Sequence, residues 1–201
     1  MKIQELEALN KACRSKIQEH FKDEAPLVFG DGNPDSKIVL VGEAPGKTEV
    51  ELGKPFVGQA GKNLEEFITI LGIVREDLYI TNVVKFRPIK LNPDTGRESN
   101  RPPTRDEIKI STDFIERELS IIRPALVVSL GNVALRCILK DDKITIGAVH
   151  GSLINVKFAG AEFVLFPLYH PASVIYNRAL RDVYLQDLHR LRAHMNNNQL
   201  V

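Results

Sequence analysis

Only two cysteines, Cys13 and Cys137, occur in the chain, too few for a disulfide framework, and neither has a Cys or His neighbour at metal-ligand spacing. They read as isolated thiols of a reducing compartment. Long apolar runs are also missing: none approaches the roughly 18 residues of a membrane span. The amino-terminal segment MKIQELEALNKACRSKIQEHF lacks the apolar centre of a signal peptide. A cytoplasmic protein without membrane association is therefore expected. Net charge is scarce as well, at +1, so overall charge announces no nucleic-acid partner. The sequence shows no linker and no internal repeat.

What is present is an ordinary globular composition, 43% hydrophobic and 26% charged, over a length that suits one domain, 1–201. Ile3, Leu6, Leu9, Cys13, Ile17 and Phe21 fall at helical spacing, which predicts an amino-terminal packing helix within 1–24. Short apolar runs at KIVLVG, LYITNVV, ALVVSLG and EFVLFPLYHP predict four strands. Helical patterns separate them at Lys62 to Gly72, from Thr104 to Ile121 or Ile122, and at Asn132 to Leu139. TRDE at Thr104 is a capping-box start, and Gly72 suits a helix C-cap. Residues 144–158 fit a pair of strands or a hairpin around His150 and Gly151. A closing helix is expected over Leu180 to His194, with 196–201 as a frayed tail. Alternation of this kind implies an α/β fold: a three-layer α/β/α sandwich around a mainly parallel four-stranded sheet.

Parallel strands bring their carboxyl ends to one edge, where ligand sites of open α/β sheets lie. Three polar motifs end strands here: GEAPG at Gly42 to Gly46, Thr81-Asn82, and His170. A glycine and proline loop alone would be a tight connection; its partners along the chain point to a site. Charge is also uneven. Lys85, Arg87, Lys90, Arg97, Arg101 and Arg105 crowd one segment, and Arg178, Arg181, Arg190 and Arg192 another. Such segments form either a phosphate-facing surface or solvated faces.

GEAPGKTEVELGKPFVGQAG, TNVVKFRP, VVSLGNVA and YHPASVIYN, in this order, resemble the motif set of the uracil-DNA glycosylase superfamily, closest to its family 4. The similarity runs from about Asp31 to Arg192 and implies a monofunctional DNA-repair hydrolase that flips uracil from the stack, reads its edge and stabilises the departing anion. Its partner would be uracil-containing DNA and its working form a monomer. On this resemblance Phe56 stacks on the base in a wall that includes Gly42. Asn82 pairs with uracil N3–H and O4, and His170 donates to O2. Glu43 positions water or stabilises the cationic sugar, although family 1 enzymes use an aspartate one residue later, where Ala44 stands. Glu49 lies beside C5, where it would exclude the thymine methyl.

The resemblance places Pro171, Ser173, Ile175 and Tyr176 in the segment that probes the duplex. Ile175 would be the wedge, and Tyr176 stands where an arginine is usual. Ser129 and Gly131 suit a phosphate seat or a plain turn. Lys85, Arg87 and Arg101 would face the DNA backbone. No lysine stands at the position of a catalytic nucleophile, and the His-bearing insertion of the covalently DNA-bonding relatives is missing.

Family 4 enzymes typically hold an iron–sulfur cluster on four cysteines. Here only Cys13 stands at such a position; Lys16, Phe86 and Ser111 occupy the other three. No cluster is therefore expected, because it needs all four thiolates. Three other readings of the strand-end site differ from uracil excision: a glycosylase for hypoxanthine or xanthine, a catalytically weak DNA-binding relative, and a small-molecule nucleotide binder.

Overall fold

The computed structural model describes residues 1–21, 25–158 and 160–200, with the side chains of Ala60, Ile175, Tyr176 and Arg178 outside the description. Helix α1 (Lys2–Phe21) leads to β1 (Asp31–Gly32) and β2 (Ile38–Gly42). Then come α2 (Lys47–Leu52), α3 (Gln59–Leu71), a 3-10 turn (Arg75–Asp77) and β3 (Tyr79–Asn82). A hairpin of β4 (Ile89–Leu91) and β5 (Glu98–Asn100) precedes α4 (Arg105–Ile122), β6 (Leu126–Leu130) and α5 (Asn132–Leu139). The chain closes with α6 (Ile146–Val149), β7 (Ile154–Phe158), β8 (Ala161–Leu168), α7 (Pro171–Tyr176) and α8 (Arg178–Asn197).

The main sheet has the order β1-β3-β2-β6-β8-β7. Its centre, β3-β2-β6-β8, is the expected set of four parallel strands. The sheet is wider than four, however, because β1 and β7 add antiparallel edges. β1 has only two residues and β7 grows from a turn at Gly160, so neither carries the continuous apolar run that marks a strand buried on both faces. The segment 144–158 resolves into one short helix and one strand rather than two strands.

Alternate residues of the central strands feed two cores. Val39, Val41 and Val127 face α1, α4 and α5, while Ile38, Leu40, Leu126 and Val128 face α3 and α8. That two-sided burial is why the strands read as unbroken apolar runs. Helix α4 starts as the sequence predicts: the Thr104 hydroxyl accepts the Glu107 N–H, and the Glu107 carboxylate accepts the Thr104 N–H. Gly72, at φ 71°, ends α3. The carboxyl tail continues as helix to Asn197, and the Leu200 N–H bonds the Met195 carbonyl with its side chain against the second core. Among the described residues no helix is long and apolar enough to cross a membrane.

Chain direction changes sides at β2, which has β3 on one flank and β6 on the other. Its carboxyl end is thus the topological switch point of the sheet, where a crevice opens.

Candidate active site

The crevice holds a cavity of about 390 Å³ lined by Ala44, Gly46, Lys47, Thr48, Glu49, Phe56, Gln59, Asn82, Asn100, His170 and Ala172. Glu49, Phe56, Asn82 and His170, expected from four separate stretches, therefore meet. Gly42 and Glu43 begin the same loop but are not among the lining residues.

Gly42 explains how the parts fit. A Cβ there would collide with Asn82 Oδ1 and with the Phe56 ring, so only glycine lets strand, amide and ring converge. Phe56 itself sits at φ 53°, a left-handed conformation costly for a residue with a Cβ. Glu49 ties this loop down: its carboxylate accepts the Gly46 N–H at 3.1 Å and the Gly58 N–H at 2.9 Å, joining the two glycine loops. Arg75 adds a bond to the Phe56-flanking carbonyl of Pro55 at 2.7 Å.

His170 is the N-cap of α7. Its Nδ1 accepts the Ala172 N–H at 3.2 Å, so the ring proton of the neutral imidazole resides on Nε2. Burial holds its pKa below the ordinary value, and the Glu49 carboxylate opposes that shift. The cavity thus contains a neutral imidazole whose Nε2–H has no acceptor among the described residues. Asn82, only 3% exposed, has no side-chain hydrogen bond among the described residues, which leaves its donor and acceptor available. The Glu43 carboxyl is half-buried, and burial raises its pKa.

Several residues expected at the DNA surface lie elsewhere. Lys85 is buried at 2% exposure, its ammonium 2.6 Å from Glu118; the hydrophobic strand end carries it into the core rather than out. Ser129 is wholly buried, its hydroxyl without a partner among the described residues, because β6 is a central strand covered on both faces, so it is no surface phosphate seat. The Gly131 N–H is taken by the Leu168 carbonyl at 2.8 Å. Arg87 is committed to Asn100 and Glu98 at 2.7 and 3.0 Å. Arg101 is partly exposed and forms a two-pronged pair with Glu107 at 2.7 and 2.6 Å. Pro171 is buried as the first residue of α7, while Ser173 is exposed and donates to the His170 carbonyl at 2.6 Å. The side chains of Ile175 and Tyr176 lie outside the described residues.

Asn100 is a cavity residue the sequence did not point to. It arrives on the β4–β5 hairpin, whose turn is set by Asn92 accepting the Asp94 and Thr95 N–H groups. The run Asn-Pro-Asp-Thr-Gly between two short extended pieces was its available signal.

The four cluster positions do not fit an iron–sulfur group. Cys13 is buried, and burial pushes its thiol up to about 11. Lys16 is exposed beside Glu19, Phe86 packs against Phe21, and the Ser111 hydroxyl bonds the Glu107 carbonyl. The donor set offers a single sulfur.

The sequence model described as the uracil DNA glycosylase superfamily matches residues 29–189. The chain belongs to this superfamily. Similarity extends to a type-4 uracil-DNA glycosylase of Archaeoglobus fulgidus, 39% identical over 183 residues, covering 90% of this chain and 86% of that one. The corresponding type-4 protein of Saccharolobus solfataricus is 36% identical over 188 residues, covering 92% and 82%. That of Thermotoga maritima is 38% identical over 169 residues, covering 83% and 82%. Within the superfamily frame, the matched region takes in the whole cavity.

Proposed function

We propose that the protein is a monofunctional uracil-DNA glycosylase that flips uracil out of DNA and hydrolyses its N-glycosidic bond. The observation that carries this reading is the His170 tautomer: a neutral imidazole, proton on Nε2, in a cavity shared with an aromatic ring and an amide that has no partner among the described residues. Phe56 gives the flipped base a face to stack on. The Asn82 carbonyl accepts uracil N3–H and its NH2 donates to O4, whereas cytosine presents the opposite polarity at both atoms and leaves a buried amide mismatched.

As the bond between C1′ and N1 lengthens, electrons move to the base and negative charge gathers on O2. The His170 Nε2–H would stabilise it without transferring its proton. Glu43, when ionised, orients a water for attack on C1′ or offsets the positive charge on the sugar. Water supplies hydroxyl to C1′ and a proton to the departing base, leaving an abasic site. Lys47, the lysine of the cavity lining, is exposed and 3.7 Å from Glu51. A Schiff-base amine is usually buried or crowded by another cation, whereas Lys47 is exposed beside a carboxylate. The protein works as a monomer on DNA and needs no iron–sulfur cluster. Purified protein should then lack the visible absorbance of iron–sulfur charge transfer.

The test is excision on oligonucleotides carrying uracil, hypoxanthine, xanthine or a thymine mismatch, followed by alkaline cleavage. Cleavage at uracil that disappears in His170→Ala is expected. Cleavage at hypoxanthine or xanthine alone, or binding without cleavage, overturns the reading. Borohydride should trap no covalent adduct.

A further inference from the structure

Lys85 and Glu118 are closed to solvent at 2% and 1% exposure. Taking two opposite charges out of water is costly, and an apolar pair of similar volume generally serves stability as well. The remaining hydrogen bonds show where this pair acts. The Lys85 ammonium has three protons and three acceptors: Glu118 Oε2 at 2.6 Å, the Thr81 hydroxyl at 2.6 Å and the Asn82 main-chain carbonyl at 2.9 Å. Glu118 in turn accepts from the Tyr79 hydroxyl at 2.8 Å and the Thr81 hydroxyl at 3.1 Å. A fully satisfied network of this kind is rigid.

Its placement is specific. Asn82 is the last residue of β3, in register with Gly42 of β2. On the β2 side the following peptide is fixed by the Val83 N–H bond to the Gly42 carbonyl at 3.0 Å. The peptide oxygen of Asn82 itself is gripped by the ammonium, through a charge-assisted bond. Two restraints thus set the direction in which the Asn82 side chain enters the cavity. Recognition by one amide demands such fixing, since a small misalignment loses both bonds to the base.

We infer that Lys85, held by Glu118, is a positioning residue that aims the Asn82 amide at the base. The inference rests on the reading of the cavity as a uracil pocket. It separates two jobs of the pair: charge neutralisation, which governs stability, and the bond to the Asn82 carbonyl, which governs aim.

Two variants divide those jobs. Lys85→Met strands a buried carboxylate and lowers the melting temperature; Lys85→Met with Glu118→Leu removes both charges and recovers it. The single-turnover rate on uracil DNA should fall by about tenfold to a hundredfold in both, because neither restores the bond to the carbonyl. A double variant with the parent's rate overturns the inference. If the apolar pair does not fold, Lys85→Met with Glu118→Gln, which keeps acceptors for Tyr79 and Thr81, is read in the same way. A second measurement needs no excision: the side-chain NH2 resonances of 15N-labelled protein, with those of Asn82 assigned by their loss in Asn82→Asp. They should shift or broaden in the double variant while those of Asn132 stay in place. Unchanged Asn82 resonances overturn the inference. A parent protein that excises no uracil overturns the pocket reading alone, and the resonances then decide this one.

Discussion

The imidazole of His170 is inclined only 30° to the ring of Phe56, with the centroids 6.0 Å apart. A base stacked parallel to Phe56 would be tilted from the imidazole by about that same angle. Six ångströms is too narrow for a base between the two rings, so the proposed base would stack on Phe56 without stacking on His170 as well. Phe56→Leu should keep the fold but forfeit the stacking, worth about 1–3 kcal/mol per base. Single-turnover kcat/KM on uracil DNA should drop by about tenfold to a hundredfold, with the effect in KM rather than in the pH profile.

Asn82→Asp replaces the donor to O4 by an acceptor. Loss of a buried, matched hydrogen bond and creation of a repulsive one should reduce uracil excision by at least about a hundredfold. Oligonucleotide cleavage under single-turnover conditions measures it, and the melting temperature should fall at neutral pH, because the new carboxylate is buried at a position only 3% exposed.

The acid limb of activity follows from two opposite shifts. Glu43 must be ionised and its pKa is raised from 4.5 by burial; His170 must be neutral and its pKa is lowered from 6.5 by burial. The rate should rise with pH, the Glu43 limb lying above 4.5 and the His170 limb below 6.5. For stability the signs differ. The unfolded chain binds the His170 proton more readily, so this group costs stability as pH falls below 6.5. Folded Glu43 holds its proton more tightly than unfolded Glu43, so its contribution is present at low pH and lost as pH rises through the raised value. Glu43→Gln should accordingly raise the melting temperature at pH 7, where it removes a desolvated charge, while abolishing most excision. At pH 4 the same substitution should leave the melting temperature nearly unchanged.

Glu49→Ala removes the acceptor of two main-chain N–H groups, each costing about 1–3 kcal/mol if left buried and unpaired. Chemical denaturation should show the larger loss for Ala and a smaller one for Gln, which keeps one acceptor oxygen. Equal losses in the two variants would show that the carboxylate does not clamp the loops.

Arg101 is committed to Glu107 and to the carbonyls of Ile89 and Pro102. Arg101→Gln should therefore lower stability by about 1 kcal/mol or more. The slope of log K against log salt for DNA binding should stay unchanged. A slope smaller by about one charge would restore it as a phosphate contact.

Asn82 and His170 were legible because each follows an apolar run, and parallel strands deliver such ends to one edge whatever the loops between them; Phe56 stands in a loop between two helices and was read from the resemblance of its glycine-rich motif alone. Lys85 was not, since a cation after a strand looks the same in sequence whether it meets solvent or a carboxylate 33 residues away. Ser129 misled for a related reason: a hydroxyl at the end of an apolar run looks the same in sequence whether that strand end is open to solvent or covered on both faces. The edge strands and α2 are short and owe their form to neighbours already in place. The positive φ of Phe56 leaves no trace at all in residue type.

The hairpin that carries Asn100 stands outside the main sheet, and Arg87, in the loop leading into it, bonds its returning strand at Asn100 and Glu98. Its length and turn can change without shifting a single strand of the core. The mouth of the cavity can thus be reshaped by evolution or by design, altering which flanking nucleotides are admitted, while the chemistry behind it is inherited intact.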